Sequence, residues 1–299
     1  MSTNISNPEL DALPEIRKDE ILAKYTTFQV GGPAAYFLET NNPVFIEKAV
    51  KIAIKNQIPY SALGGGSNIL VSDKGYDGLI IKLNSSACEF IEPDMLMADA
   101  GTSLAKVIQM ALNYNLIGLE FAVGIPGSFG GAVAGNAGTS GHGIAEFVKK
   151  LKYIDKNGVL NSYERNQLDV SYRYTRFKYA SDEIIISAVL KLQIGNPAES
   201  QALIKSVLEK RSWQPKGAWC AGCIFKNPTD KVAGKLIEEA GLKGKKIGGA
   251  KISEEHGNFI LNTGHATAED IVILISYIKQ QIRDQFNIQL EEEVRYLGF

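Results

Sequence analysis

The sequence predicts a mixed helix-and-strand protein of two or three domains, with a ligand cradle in its first half. Three observations carry this. The chain has 299 residues, and globular domains run to roughly 100–200 residues each. Its 29 glycines are clustered, in "VGGPAA" (30–35), "LGGGSN" (63–68) and "VGIPGSFGGAVAGNAG" (123–138). Backbone without a Cβ can approach a ligand closely or enter the left-handed region. Near residue 200 the composition becomes more helical and more basic, which puts a domain boundary there.

The elements follow in order. Asn42-Pro43 before "VFIEKAVKIAIKN" reads as a capped amphipathic helix with Pro in its first turn. "YSAL" (60–63) is a short buried strand that runs into Gly64, Gly65, Gly66, Ser67 and Asn68, so the chain opens as β–α–β with a glycine-rich turn. "GLIIKL" (78–83) and "LMADAG" (96–101) are further strands, and Ser103 caps the helix "LAKVIQMALNYN". "KKLKYIDKNGVLNSYE" alternates around Asn157-Gly158, a hairpin signal. "EIIISAVLKLQI" (183–194) is one strand and Pro197 starts a helix. Helices at about 230–240 and over 268–286 follow, and "NIQLEEEVRYLGF" is a terminal strand.

Hydrophobic residues make up 45% and charged residues 22%, enough apolar material for real cores. With 32 basic and 33 acidic residues, a net charge of −1 argues against a nucleic-acid or membrane surface. No apolar run reaches the roughly 18–20 residues that span a bilayer. The first twenty residues lack the apolar core of a signal peptide, and three cysteines make no disulfide framework. A soluble cytoplasmic protein is expected.

The glycine clusters form neither a Walker A loop nor a G-x-G-x-x-G turn opening a helix. They can still wrap a pyrophosphate with backbone N–H groups, as an anion nest does. A dinucleotide bound outside the Rossmann pattern is the inference, with FAD and NAD both open.

"AWCAGCIFKNP" (218–228) spaces Cys220 and Cys223 as C-x-x-C. Zinc needs two more Cys or His ligands, yet only Cys88, His142, His256 and His265 remain and none is paired at short spacing. A thioredoxin-like redox pair sits at a strand-to-helix turn, whereas here strand-like residues and a Pro-containing turn follow. Each sulfur is therefore judged alone, and no metal is expected.

Seven segments together resemble one family, the flavoprotein UDP-N-acetylenolpyruvoylglucosamine reductases of peptidoglycan synthesis. "TTFQVGGPAAYF" (26–37), "LGGGSNILV" (63–71) and "GIPGSFGGAVAGNAG" (124–138) are similar to its FAD-binding motifs. "VSYRYTRFK" (170–178), "AGCIFKNP" (221–228), "SEEHGNFILN" (253–262) and "LEEEVRYLG" (290–298) are similar to its substrate and catalytic motifs. The match runs in order from about residue 20 to the C-terminus, and the length resembles the shorter subtype.

That resemblance implies an α+β fold: a two-part FAD-binding module of the vanillyl-alcohol-oxidase (PCMH) type, then an α+β substrate domain. The expected boundaries are 20–80 for the first FAD subdomain, 81–200 for the second and 201–287 for the substrate domain, with strand 288–299 returning to the first. It implies NADPH-dependent reduction of UDP-N-acetylglucosamine enolpyruvate to UDP-N-acetylmuramate, by a monomer acting on small molecules. NADPH reduces the FAD, hydride passes to the substrate's methylene carbon, and the resulting enolate is protonated on the neighbouring carbon. An oxidase of alcohols or hydroxy acids on the same fold is the enzymatic alternative. A thiol-redox or zinc module at Cys220 and Cys223 is the non-enzymatic one.

By resemblance, Arg173 takes the substrate carboxylate, as a planar guanidinium suits; Arg176 and Lys178 are expected to be solvated. Glu293 is expected to carry a proton or share one with Arg173, because a bare carboxylate repels a developing enolate. Strand alternation puts Leu290, Glu292 and Val294 on one face and Glu291, Glu293 and Arg295 on the other. Cys223 stands where the family most often has the serine that protonates the enolate, and a thiol, with an ordinary pKa of about 8.5, is the better acid. Cys220 is expected to be a small residue in a turn. Lys226 and Asn227 match substrate-contacting positions, with Arg211 and Gln214 reaching the diphosphate. The flavin is expected on the backbone of Gly64, Gly65, Gly66, Ser67, Asn68, Gly124, Ile125, Pro126, Gly127, Ser128, Gly131, Asn136 and Gly138. His256 is expected to be structural or pocket-lining rather than a ligand.

Overall fold

The computed structural model describes residues 7–139, 141–180, 182–215 and 217–299. The chain divides into two compact units. The larger holds the residues up to Lys18, Ala35–Gly65 and Asp77–Ser212, and the smaller holds Asp19–Ala34, Gly66–Tyr76 and Trp213–Phe299. Among the described residues no helix is long and apolar enough to cross a membrane.

The larger unit is built on two sheets. One has the strand order Ile16–Ile21, Pro33–Thr40, Tyr76–Leu83, Tyr60–Leu63, and its last two strands run parallel with Leu63 opposite Lys82. Residues 64–75 connect the parallel pair, and the helix Pro43–Lys55 lies between Pro33–Thr40 and Tyr60–Leu63 in the chain. Asn42 caps it, its side chain accepting from the Val44 N–H, as the Asn-Pro pair predicts. Ile46, Ala49, Val50 and Ala53 recur at helical spacing and pack with Tyr36, Leu38, Leu79 and Ile81.

The second sheet is antiparallel, in the order Leu160–Glu164, Val148–Ile154, Ile184–Lys191, Met95–Asp99, Cys88–Ile91. Its core gathers Leu96, Ala98, Leu151, Ala188 and Leu190 with the helices Leu104–Asn113 and Phe129–Ala134. Ser103 caps the first helix through the Lys106 N–H. The hairpin expected at Asn157-Gly158 is present, but its loop is longer than the two-residue turn that pair favours. Ile154 faces Leu160, and the Asp155 carboxylate accepts the Asn157 and Val159 N–H groups, both at 2.9 Å, which stabilises a five-residue loop. The single strand expected over 183–194 breaks after Lys191, and Gln193–Ile194 pairs instead with Leu116–Ile117. The compositional change near residue 200 coincides with the helix Pro197–Lys210, and the change of unit follows it, between Ser212 and Trp213. A buried bond from Ser200 Oγ to Glu120 Oε1 (2.6 Å) ties this helix into the larger unit.

The smaller unit packs the helices Ala233–Glu239 and Ala268–Phe286 on an antiparallel sheet of Lys246–Ile247, Ala250–Ile252 and Ile260–Asn262. Strand Arg295–Leu297 runs parallel to Ile69–Val71. The strand expected over the whole C-terminal stretch is thus confined to its end. Before Arg295, the Glu293 N–H bonds the Ile224 carbonyl (2.7 Å) and the Lys226 N–H bonds the Glu291 carbonyl (2.9 Å), so the backbone is held by single contacts and not by a ladder.

Ile271, Leu274, Ile275, Ile278 and Ile282 form the buried stripe of the long helix. Ile278→Ala removes a fully buried side chain and is expected to lower stability by about 2–5 kcal/mol, read from the urea midpoint.

Candidate active site

In the larger unit the glycine clusters meet backbone to backbone. The segment after Gly124 is laid along the end of strand Met95–Asp99. Leu104 N–H donates to Gly127 O (3.0 Å), Phe129 N–H to Thr102 O (2.7 Å) and Gly130 N–H to Ala100 O (2.8 Å). Ser128 then caps the helix Phe129–Ala134, its hydroxyl accepting the Gly131 N–H. Against this corner lies the turn after Tyr60–Leu63. A Cβ on Gly65 would fall 2.6 Å from Gly127 Cα and 2.8 Å from Ser128 N, and one on Gly64 would fall 2.5 Å from Ser128 Oγ. Only glycine permits that approach. The amides of Gly65, Gly127 and Ser128 find no acceptor among the described residues. Converging unsatisfied N–H groups are what a nest for a phosphate requires.

Several residues expected at the cofactor also hold the framework together. Asn136 Oδ1 accepts from Ala145 N–H (3.1 Å) and its Nδ2 donates to Ser171 O (2.9 Å), tying the end of the cluster to the next hairpin. In the smaller unit Gly66, at φ +66°, has its carbonyl on the Thr27 N–H (3.0 Å). Asn68 grips the C-terminal segment: its Nδ2 donates to Glu293 O (3.2 Å) and its carbonyl accepts the Arg295 N–H (3.1 Å). A residue missed in the sequence is Lys82, whose ammonium reaches the Gly64 carbonyl at 3.3 Å. Burial holds its pKa down, opposed by the Glu39 carboxylate. Its place at the end of an apolar strand running toward the turn was the available signal.

Arg173 sits in the loop of the hairpin Val170–Ser171 and Tyr174–Thr175, half-buried and in the left-handed region at φ 57°. Its NH1 donates to the Gly138 carbonyl (2.6 Å), so the glycine cluster and the expected carboxylate anchor touch. The expectation that Arg176 and Lys178 are solvated fails for Lys178, while Arg176 is partly exposed. Arg176 is paired with Glu183. Lys178 is 2% exposed and donates to the Arg173 carbonyl at 2.9 Å. A charged side chain enters an interior when it has a partner there, and residue type alone does not announce one. Arg211, closing the helix Pro197–Lys210, lies beside Gly124: a Cβ on that glycine would be 3.7 Å from its Nε. Arg211 therefore belongs to the larger unit and Gln214 to the smaller.

In the smaller unit residues 223–226 form a strap. Cys223 bridges to Phe259 on one side and Phe225 to Glu292 on the other. The Ile224 N–H donates to Asn258 O (2.9 Å), while its carbonyl takes the Glu293 N–H. Asn258, 3% exposed, clamps Phe225 from both sides: Oδ1 accepts its N–H (2.9 Å) and Nδ2 donates to its carbonyl (2.8 Å). These bonds bring Cys223 and Glu293 together. Lys226 pairs with Glu291 (3.1 Å) and Lys279 with Glu292 (2.7 Å), which separates the glutamate run into different roles. Residues 290–293 are not a strand, although Glu292 bridges to Phe225, and Leu290 and Val294 of the expected inner face are both buried. Asn227 is exposed and its Oδ1 accepts the Ala233 N–H (3.0 Å), so it covers the first turn of the helix Ala233–Glu239.

All three cysteines are free thiols. Cys220 is packed against the apolar core, burial pushes its thiol pKa up, and its carbonyl accepts from the Thr27 hydroxyl (2.6 Å). His256 stacks on Trp213 (4.3 Å between centroids) and meets Phe259 edge-on. Its Nδ1 faces the Asn258 N–H at 3.1 Å, so the ring supports the residue that clamps the strap.

A family model for an FAD binding domain matches residues 34–162, and the C-terminal domain of UDP-N-acetylenolpyruvoylglucosamine reductase matches residues 214–297. A Phl p 4 variant that is a glucose oxidase shares the fold alone, at 15% identity and a TM-score of 0.50 over 72% of this chain and 50% of that one. Together with the glycine corner, these matches define an FAD-binding protein with the PCMH-type module followed by an α+β domain. The UDP-N-acetylenolpyruvoylglucosamine reductase of Anoxybacillus flavithermus is 40% identical over 95% of this chain and 94% of its own. The crystal structure of the Thermus caldophilus enzyme superposes with a TM-score of 0.82, at 34% identity over 94% of this chain and 99% of that one. The chain belongs to the UDP-N-acetylenolpyruvoylglucosamine reductase family.

Two outcomes are expected from this geometry. Gly65→Ala forces Gly127–Ser128 backbone to shift, so the purified variant loses most of its flavin absorbance per polypeptide; wild-type flavin content would refute the cradle. Burial, reinforced by Lys243 and opposed by Glu238, lowers the His256 pKa. Below the ordinary histidine value of about 6.5 the unfolded chain takes up a proton that the folded ring resists, so this contribution to stability is full above that pH and lost as pH falls. His256→Phe should therefore lose less stability than wild type between about pH 7 and 5, and identical urea midpoints across that window would contradict it.

Proposed function

We propose that this chain is an FAD-containing reductase that converts UDP-N-acetylglucosamine enolpyruvate to UDP-N-acetylmuramate with NADPH as electron source. The observation that carries the proposal is the strap, which sets Cys223 beside the Glu293 segment through the Ile224 carbonyl (2.7 Å to Glu293 N). Residues 20–80 and 81–200 serve the flavin, 201–287 the nucleotide, and the product feeds cell-wall synthesis in the cytoplasm.

Bound FAD supplies the hydride carrier between NADPH and substrate. The amides at Gly65, Gly127 and Ser128 suit its pyrophosphate. Arg173 takes the substrate carboxylate in a charge-assisted pair and so stabilises the dianionic enolate formed when the methylene carbon gains hydride. Cys223 gives its proton to the carbon bearing the ether oxygen, and the thiolate is reprotonated from water. Glu293 hydrogen-bonds the developing charge. Lys226 and Gln214 contact the nucleotide.

The test separates the half-reactions. The yellow protein, reduced anaerobically by NADPH, is reoxidised on adding the enolpyruvyl nucleotide; reoxidation by oxygen alone would favour an alcohol oxidase instead. Cys223→Ala keeps the NADPH step and slows nucleotide reduction by about 10²–10⁴-fold, the usual contribution of a placed general acid. Full turnover in that variant would remove Cys223 from the reaction.

A further inference from the structure

The hairpin that presents Arg173 has an unusual cost. Ser171 faces Tyr174, so the loop is Tyr172 and Arg173 alone. Tight two-residue loops favour glycine or asparagine where the backbone is left-handed. Here an arginine adopts φ 57°, a region that long side chains populate sparsely and that persists only where surroundings over-determine it.

The surroundings do so from several directions. Thr175, fully buried, donates its hydroxyl to the Ala134 carbonyl (2.8 Å), and Asn136 Nδ2 holds the Ser171 carbonyl (2.9 Å). These bonds fix the flanks of the loop. The bond on the strained residue's own peptide comes from Lys178, whose ammonium donates to the Arg173 carbonyl at 2.9 Å. Lys178 ends the 3₁₀ turn Arg176–Lys178 and is 2% exposed. Placing an ammonium in an interior is expensive, and a bond from a charged donor to a carbonyl is stronger than a neutral one. The turn thus orients the Arg173 peptide, while NH1 on Gly138 orients the other end of the same side chain.

We propose that Lys178 is a positioning residue: its buried ammonium locks Arg173 in the left-handed conformation from which the guanidinium meets the substrate carboxylate. The inference rests on the reductase reading above. Lys178 acts through Arg173 and itself touches no reacting atom.

The test uses the flavin-loaded full chain and Lys178→Met, which keeps the length and removes the charge. Reoxidation by the enolpyruvyl nucleotide is expected to slow roughly a hundredfold, the effect of misplacing a group by about an ångström. Reduction by NADPH should slow at least about tenfold less than that. Added to Arg173→Ala, Lys178→Met should change reoxidation by less than about threefold, since both changes remove one interaction. Equal slowing of both half-reactions, or multiplied effects in the double variant, would overturn the proposal. Should Lys178→Met fail to fold with flavin, adding Arg173→Gly is expected to restore folding, because glycine adopts this backbone freely; no restoration overturns the proposal as well. Absence of reoxidation in the wild type counts against the reductase reading. Normal wild-type reoxidation beside an unimpaired Lys178→Met counts against Lys178 alone.

Discussion

The carbonyl of Ile224 accepts the Glu293 N–H at 2.7 Å, and the strap of the smaller unit is organised around that bond. Ile224 and Phe225 are buried, so the residues on either side, Cys223 and Lys226, are left half-buried at the surface of the unit. The strap has no ladder to hold it. It depends on Asn258, an amide that bonds the Phe225 peptide in both directions and so imitates a neighbouring strand. Asn68 grips the Glu293 carbonyl from another loop of the same unit. The Cys223 and Glu293 segments, far apart in the chain, are in this way held together by backbone hydrogen bonds and by the side-chain amides of Asn258 and Asn68.

The larger unit solves a different problem with the same economy. A nest for a phosphate needs amides that point at one place and stay unpaired, which is costly unless the backbone around them is firmly held. Here the holding is done by neighbours of the nest: Phe129 and Gly130 spend their N–H groups on Thr102 and Ala100, and Leu104 takes the Gly127 carbonyl. The glycines at 64 and 65 then close the corner at distances that no Cβ would tolerate. Asn136 links this corner to the hairpin of Arg173, so the glycine corner and that hairpin share one framework.

Much of this was legible from local chemistry. The caps at Asn42 and Ser103 and the prolines at 43 and 197 mark helix starts where the structure has them. The glycine clusters announced close backbone approach, and seven ordered motifs pointed to the family. What failed to read through were positions where a distant partner overrides residue type. Lys178 looks like a surface lysine, and the Glu291–Glu293 run looks like one solvated edge. The Asn157-Gly158 pair looks like a two-residue turn until the Asp155 carboxylate captures two amides.

By itself, then, the sequence determined where helices begin, which backbone must be bare, and which residue types could do the chemistry, because each of these depends on neighbours within a few positions. Only the tertiary structure decided that Lys226 takes Glu291, that Lys279 takes Glu292, and that Asn258 replaces a strand. Those partners lie from 13 to 65 residues apart in the chain. Which polar group meets which across such spans is set by how the apolar core closes, and composition and spacing carry no record of that.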